Sequence, residues 1–378
     1  THGKIVILID EYDKPLIDYL EQHNLDIARA NQKVMKNFYS TLKDSSSMIE
    51  LLFITGVSKF SKVSLFSDLN YLRDLTVHPL TATTFGYTEE ELQHSFKEYL
   101  DDFLKENTDF TYATLLENIK EWYNGYSWDG KTSVYNPYGF LLFLTNKRFD
   151  NYWFSSGTPT FLIHKALEQN FYTVENRTTT LAFLEQYSLD NVELTSLFFQ
   201  TGYLTIKELD IWGNVVLDYP NREVRDSMYQ FLMTYMGQRN VDSKVTVRHL
   251  NKAFMDNDLA EAKEIIQNVF YDLPYDVFQR QGEGLYHGLI HVLFKYVGLD
   301  VESEVHTARG RADAIVKTPT HIYIFEFKLN RSPNAAMVQL KQRNYASKFR
   351  STGKEIIGIG LNFSQKTKNF GKWLIEKL

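Results

Sequence analysis

Two short apolar runs near the C-terminal end of the chain, residues 310–316 and 321–328, have the length of β-strands. Turn-type residues separate them, so the pattern predicts a β-hairpin or two adjacent strands. Successive side chains of a strand point to opposite faces, which puts Glu326 and Lys328 on one face. We expect the intervening phenylalanines to face a core and the charged pair to lie at the sheet's other face or rim. If the strands pair, Asp313 reaches the same place.

A second strand pattern occurs in the N-terminal part of the chain. Apolar runs at residues 4–9 and 49–54 flank a helical stretch at about residues 28–43. A strand, a helix and a second strand in this order predict a parallel βαβ unit.

The middle of the chain is mostly helical in pattern. Thr88 is followed by three glutamates, a capping box that opens a helix reaching about Leu104. Two short strands, residues 204–207 and 215–219, flank a turn at residues 212–214. Further helices are predicted at residues 112–123, 136–144, 161–169, 181–187, 223–236, 259–270, 281–298 and 334–349.

Composition narrows the class of protein. The 378-residue chain has no cysteine, which excludes disulfides and zinc–thiolate sites and fits a cytoplasmic protein. It has no apolar run long enough for a membrane span, so no membrane partner is expected. The net charge is −6, yet residues 301–378 hold 14 basic and 6 acidic residues, a charge of +8. This asymmetry predicts a phosphate-backbone partner at the C-terminal region; a merely lysine-rich surface is the alternative.

The predicted hairpin carries a recognisable chemical set, the carboxylates of Asp313 and Glu326 and the amine of Lys328. Hard oxygen ligands suit Mg²⁺, which usually takes only one or two carboxylates from a protein. A nearby lysine can orient a water or stabilise charge on a phosphate. From these residues alone, two readings stay open: a metal-dependent hydrolytic site, or the solvent face of an antiparallel strand.

Polar residues follow both N-terminal strands. Asp10 and Glu11 come directly after the first apolar run, the Walker B pattern in which Asp holds Mg²⁺ and Glu activates a water. Thr55 and Ser58 follow the second run, where AAA-type ATPases keep a sensor residue. Asp also terminates many ordinary strands, so this reading stays open as well.

Residues 125–132 match the Walker A pattern letter by letter, but we reject them as a phosphate site. They follow a predicted helix and not a strand. Their loop contains Tyr126, Trp128 and Asp129, where a phosphate cradle needs small, uncharged residues.

The segments Gly310–Asp313, Ile324–Lys328 and Gln339–Tyr345 together resemble the PD-(D/E)XK nuclease superfamily, and more closely the nuclease-like domain at the C-terminus of bacterial AAA-ATPase-like proteins. Leu8–Pro15 and Ile54–Ser58 are similar to the same family. Ala312 stands where the nominal motif has Pro, a position that varies. The resemblance covers both ends of the chain in the right order.

The resemblance implies an α/β protein with a partial parallel-sheet P-loop ATPase core, a helical or winged-helix-like lid, and a PD-(D/E)XK nuclease-like α/β domain. We place these parts at residues 1–150, 151–274 and 275–378. The Walker A part is expected upstream of this sequence, so ATP is expected only in the intact protein.

The implied function is ATP-linked, Mg²⁺- or Mn²⁺-dependent hydrolysis of phosphodiester bonds in DNA or RNA. The alternative is a catalytically inactive, nucleotide-controlled module that binds nucleic acid or protein. Oligomeric state is not predicted. The expected catalytic residues are Asp313, Glu326, Lys328, Glu283 and Gln339, the metal ligands Asp313, Glu326 and Glu283, and the nucleotide-site residues Asp10, Glu11, Thr55 and Ser58.

Overall fold

The computed structural model describes residues 3–20, 24–58, 69, 71–153, 162–163, 165–166, 169, 171, 174–184, 193–235, 243–271, 288–307, 310–364 and 369–378. Side chains are described for all of these except residues 235, 243–244, 300, 302–307, 310–312 and 369–370. The predicted boundary at residues 272–274 and Glu283 lie outside the described residues, as do parts of the helices predicted at 161–169, 181–187 and 281–298.

The structure is a mixed α/β protein with parallel and antiparallel strands. The strands are β1 Ile5–Ile9, β2 Ile49–Ile54, β3 Arg177–Thr180, β4 Thr205–Leu209, β5 Asn214–Asp218, β6 Asp300–Thr307, β7 Gly310–Lys317, β8 His321–Leu329, β9 Glu355–Ser364 and β10 Asn369–Lys377. They form a parallel β1–β2 pair, a three-stranded sheet in the order β3-β5-β4, and a five-stranded sheet in the order β10-β9-β8-β7-β6.

Most of the helices coincide with predicted ones, but those at Lys14–Ile17, Leu194–Gln200 and Ser243–Met255 were not predicted. The helices are α1 Lys14–Ile17, α2 Leu25–Asp44, α3 Glu89–Ser95, α4 Lys97–Glu106, α5 Tyr112–Tyr123, α6 Pro137–Asn146, α7 Leu181–Leu184, α8 Leu194–Gln200, α9 Arg222–Tyr235, α10 Ser243–Met255, α11 Leu259–Tyr271, α12 at residues 288–296, and α13 Pro333–Arg343. Short 3₁₀ helices occupy Ser46–Met48, Pro79–Thr81 and Tyr345–Thr352. In the described part of the chain, no helix combines the length and apolarity that a bilayer crossing needs.

Two predicted helices are each interrupted. The helix opened by Thr88 is divided at Phe96 into α3 and α4. The helix predicted at 334–349 ends at Arg343, because Asn344 adopts the left-handed conformation with φ of 49°. A 3₁₀ helix follows. Asparagine tolerates that conformation better than most residues do, so it is a natural end for α13.

Backbone contacts divide the chain into two compact units. The first contains residues 1–165 and 174–227, and the second contains residues 166–173 and 228–378. The three-part division at residues 150 and 274 stays a prediction.

The first unit holds the β1–β2 pair, in which Ile9 lies beside Ile54. One face of this pair packs on α2 through Tyr39 and Leu42. The parallel βαβ unit expected from the sequence is confirmed.

The second unit is built on the five-stranded sheet. β6, β7 and β8 form an antiparallel meander, and β9 joins β8 in parallel after α13. One face of the sheet packs on α13, where Ile324 lies in a core with Met337 and Leu340. On the other face, Phe325 contacts the rings of Phe254 and Phe294. The central strand is therefore buried on both sides.

Candidate active site

Strands β7 and β8 bring the predicted acidic residues together. Their ladder runs as far as the pairing of Ala314 with Phe325. One residue further on, Asp313 accepts the Phe327 N–H at Oδ2, 2.7 Å away. The Lys328 Nζ donates to Glu326 Oε1 at 2.7 Å. The structure therefore places Asp313, Glu326 and Lys328 in one cluster.

Glu326 is deeply buried, with 1% of its surface exposed. It lies on the face opposite Phe325, as strand alternation predicts, and α13 covers the face that it shares with Ile324. The solvent-face reading of this strand is excluded for the same reason.

Burial changes the chemistry of Glu326. Its pKa is raised to about 7, first by burial and then by the charge of Asp313, against the opposing positive charges of Lys328 and Arg343. The Oε2 atom has no hydrogen-bond partner among the described residues. A buried acceptor without a partner is costly, so this atom is a natural ligand for a cation or a proton.

Gln339 is connected to the acidic cluster through Tyr345. It hydrogen-bonds the Tyr345 side chain, whose pKa is raised by burial and, more weakly, by the charges of Glu326 and Asp313. The Gln339–Tyr345 pair is therefore within electrostatic range of the two carboxylates.

The donor set fits a divalent cation only in part. Two carboxylates, one of them with an unpartnered oxygen, are the hard ligands that Mg²⁺ or Mn²⁺ prefers. Among the described residues, however, no group of three or more acidic or histidine side chains is placed to hold a metal ion. Glu283, the expected third carboxylate, lies outside the described residues, so its role stays a prediction.

The N-terminal candidates meet at the carboxyl ends of β1 and β2. Asp10 Oδ1 accepts the Thr55 hydroxyl and, at 2.9 Å, the N–H of Glu11. Glu11 itself has a φ of 48°, an uncommon conformation for a residue other than glycine. Ligands of open parallel sheets bind at this edge, so the placement suits the predicted nucleotide-site role.

Asp13, whose role the sequence reasoning missed, organises the loop after β2. It is fully buried, and its carboxylate accepts the N–H groups of Val57 and Ser58 at 3.0 and 2.5 Å. It also accepts the Ser58 hydroxyl at 2.6 Å. The Ser58 side chain is thus engaged inside the protein, while its predicted sensor role stays a prediction.

The rejected Walker A look-alike is a turn built around its own acid. Asp129 Oδ1 accepts the N–H groups of Lys131 and Thr132 at 2.9 and 2.7 Å. These are the kind of donors that a phosphate would need, and a carboxylate already occupies them.

A second buried carboxylate, Glu223, was also missed. It is fully buried, its Oε1 accepts the Trp153 N–H at 2.8 Å, and its Oε2 has no partner in the described part of the chain. Burial raises its pKa to about 7. A carbon added at Gly139 would lie 2.6 Å from the carboxylate, so glycine allows this close approach. Nothing in the local sequence around Glu223 signals this arrangement.

Comparison with known proteins supports the family resemblance recognised at both ends of the chain. Residues 281–373 match the model of the PD-(D/E)XK nuclease superfamily, and residues 1–66 match the model of a family described as a predicted AAA-ATPase. No solved structure matches significantly.

A relative matches almost the whole chain. It is described as an uncharacterized protein in the vnfD 5′ region of Azotobacter chroococcum mcd 1, and it is 34% identical over 386 residues. The alignment covers 99% of this chain and 72% of the relative. The chain therefore belongs to the family of AAA-ATPase-like proteins that carry a C-terminal PD-(D/E)XK nuclease superfamily domain.

Proposed function

We propose that this protein is a metal-dependent nuclease that hydrolyses phosphodiester bonds of nucleic acid. The observation that carries the proposal is Glu326, a buried carboxylate with an unpartnered oxygen, beside the second carboxylate of Asp313 and the amine of Lys328. A structural ion pair would not need an unsatisfied oxygen, whereas a cation site would.

Each residue of the cluster has a role in this chemistry. Asp313 and Glu326, with Glu283, would hold the divalent cation, and a bound cation would supply polarisation of the phosphodiester. Lys328 orients the attacking water or stabilises the charge that develops on the phosphate. Water adds to phosphorus and one P–O bond breaks, leaving a phosphate monoester and a hydroxyl group.

The acid–threonine pair at the N-terminal sheet supports a link to ATP. Asp10 would hold the nucleotide's Mg²⁺, Glu11 would activate water, and Thr55 and Ser58 would sense the nucleotide. ATP would then gate or move the nucleic acid at the basic C-terminal region.

The test is cleavage of labelled single- and double-stranded DNA and RNA with Mn²⁺ or Mg²⁺. Lys328→Ala should slow cleavage at least about 100-fold, since it removes a group that acts on the transition state. Lys341→Ala is the matched control, because that exposed lysine pairs with Glu376 at the protein surface. Undiminished cleavage by Lys328→Ala would contradict the proposal.

A binding module without catalysis is the second candidate. The observation that favours it is that both acids already have internal partners, the Lys328 amine and the Phe327 N–H. Calorimetry with Mn²⁺ separates the two: an active site binds the ion and loses that binding in Asp313→Asn, whereas nucleic-acid binding without ion binding favours the module.

A further inference from the structure

The two flanks of α13 face different parts of the five-stranded sheet. Its buried face consists of Ala336, Met337 and Leu340. Lys341 lies on one flank and pairs with Glu376 of β10, so this flank faces the β10 side of the sheet. Successive helical residues are rotated by about 100°, which puts Gln339 and Arg343 on the opposite flank. In the order β10-β9-β8-β7-β6, that flank faces the strands carrying the two acids.

Arg343 acts electrostatically on the acidic cluster and is also open to solvent. It is exposed and ends the last turn of α13. Burial raises the pKa of both Glu326 and Tyr345, and the charge of Arg343 is among the influences that lower both. The guanidinium is therefore within electrostatic range of the site, at its solvent side.

The surrounding sequence suits a polyanion. From Phe327 to Lys354 there are seven basic residues and no acidic one. Arg343 is the last α13 residue on the flank that faces the acids. A planar guanidinium also matches the oxygens of a phosphate better than an ammonium does.

We propose that Arg343 binds a backbone phosphate of the nucleic acid at the entrance to the Asp313–Glu326–Lys328 cluster. This inference rests on the proposed function and adds a substrate-binding residue to it. Arg343 holds the strand by its backbone and does not read the bases, so its contribution is independent of sequence.

Binding of a short fluorescent oligonucleotide to the full chain, in EDTA and at several salt concentrations, tests the proposal. Arg343→Ala should weaken binding about tenfold and flatten the slope of log affinity against log salt by about 0.7 to 0.9. Arg343→Lys should keep the slope and lose part of the affinity. Lys341→Ala, two residues away on the opposite flank, should change affinity less than about twofold.

The outcomes are separable from those of the nuclease assay. Wild-type affinity and slope in Arg343→Ala would overturn the inference, as would equal losses in Arg343→Ala and Lys341→Ala. Absence of binding by the wild type would overturn it too. Metal-dependent cleavage by the wild type decides the proposed function independently, since it is measured without reference to Arg343.

Discussion

The buried carboxylate of Glu223 should make the protein less stable as pH rises. Its folded pKa of about 7 exceeds the usual value of 4.5 because of burial. Below about pH 4.5 the group is neutral in both states and costs nothing. Between about pH 4.5 and 7 only the unfolded chain loses the proton, so the free energy of unfolding falls, by roughly 3 kcal/mol in total.

Glu223→Gln should remove this pH dependence. We expect it to raise the free energy of unfolding by up to about 3 kcal/mol at pH 8 and to change little at pH 4.5. Urea unfolding at the two pH values measures this. Glu208→Gln, at an exposed position of β4, should show no such difference; a gain at pH 8 in both variants would point to net charge instead.

Individual site residues were predictable where the signal was local. Strand alternation placed Glu326 and Lys328 on one face, and their contact in the structure confirms it. Asp13 and Glu223 were missed because their partners lie far away in sequence, at separations of 44 and 70 residues respectively. Arg343 could be assigned to the side of the acidic cluster only once the sheet order was known. Nothing in the sequence of α13 shows which of its two flanks faces the acids.

The position of α13 depends on the absence of a side chain at Gly360 in β9. A carbon added there would lie 2.7 Å from the Pro333 carbonyl oxygen and 3.1 Å from the Met337 nitrogen. Gly360→Ala must therefore push α13 outward. We expect a loss of about 1–3 kcal/mol in unfolding free energy, together with slower cleavage because Gln339 moves with the helix.

Gly358→Ala is the matched control in the same strand. The atoms nearest to the added carbon would belong to the Leu378 side chain, at 2.9 Å and beyond, and a side chain can move aside more easily than helix backbone. Thermal unfolding and the cleavage assay on both variants check the prediction. Equal effects of the two substitutions would mean that the close approach of α13 to Gly360 does not determine the stability or the cleavage rate.

The positions of helices and strands could be predicted where the sequence contains signals for their ends, such as a capping box or a turn. The capping box at Thr88 and Glu91 is confirmed, as are α5 and the β4–β5 hairpin. β9 and β10 were not predicted. β9 carries two glycines that break the apolar alternation, and the need for them appears only when α13 and Leu378 are packed against the strand.

The order of the parts along the chain could be read from motifs at its two ends, because each motif is local. The bounds of the two compact units could not be predicted from the sequence. Residues 166–173 belong with the second unit, although they interrupt the first unit in sequence. The P-loop core and the basic nucleic-acid surface stay proposals, because both depend on partners that the motifs only imply.

The strand connections of the second unit have a consequence for folding. β6, β7 and β8 pair with their sequence neighbours, whereas β9 can join β8 only after residues 330–354 have crossed over. Local contacts form faster than distant ones. We therefore expect the backbone amides of β7 and β8 to be protected from exchange before those of β9, in pulse-labelling hydrogen exchange during refolding.

Simultaneous protection of all three strands would contradict this order. If the order holds, Asp313 and Glu326 come together while both are still hydrated. The Glu326 carboxylate loses its water only when α13 docks. Its affinity for protons would then increase late in folding, after the two acids have already met.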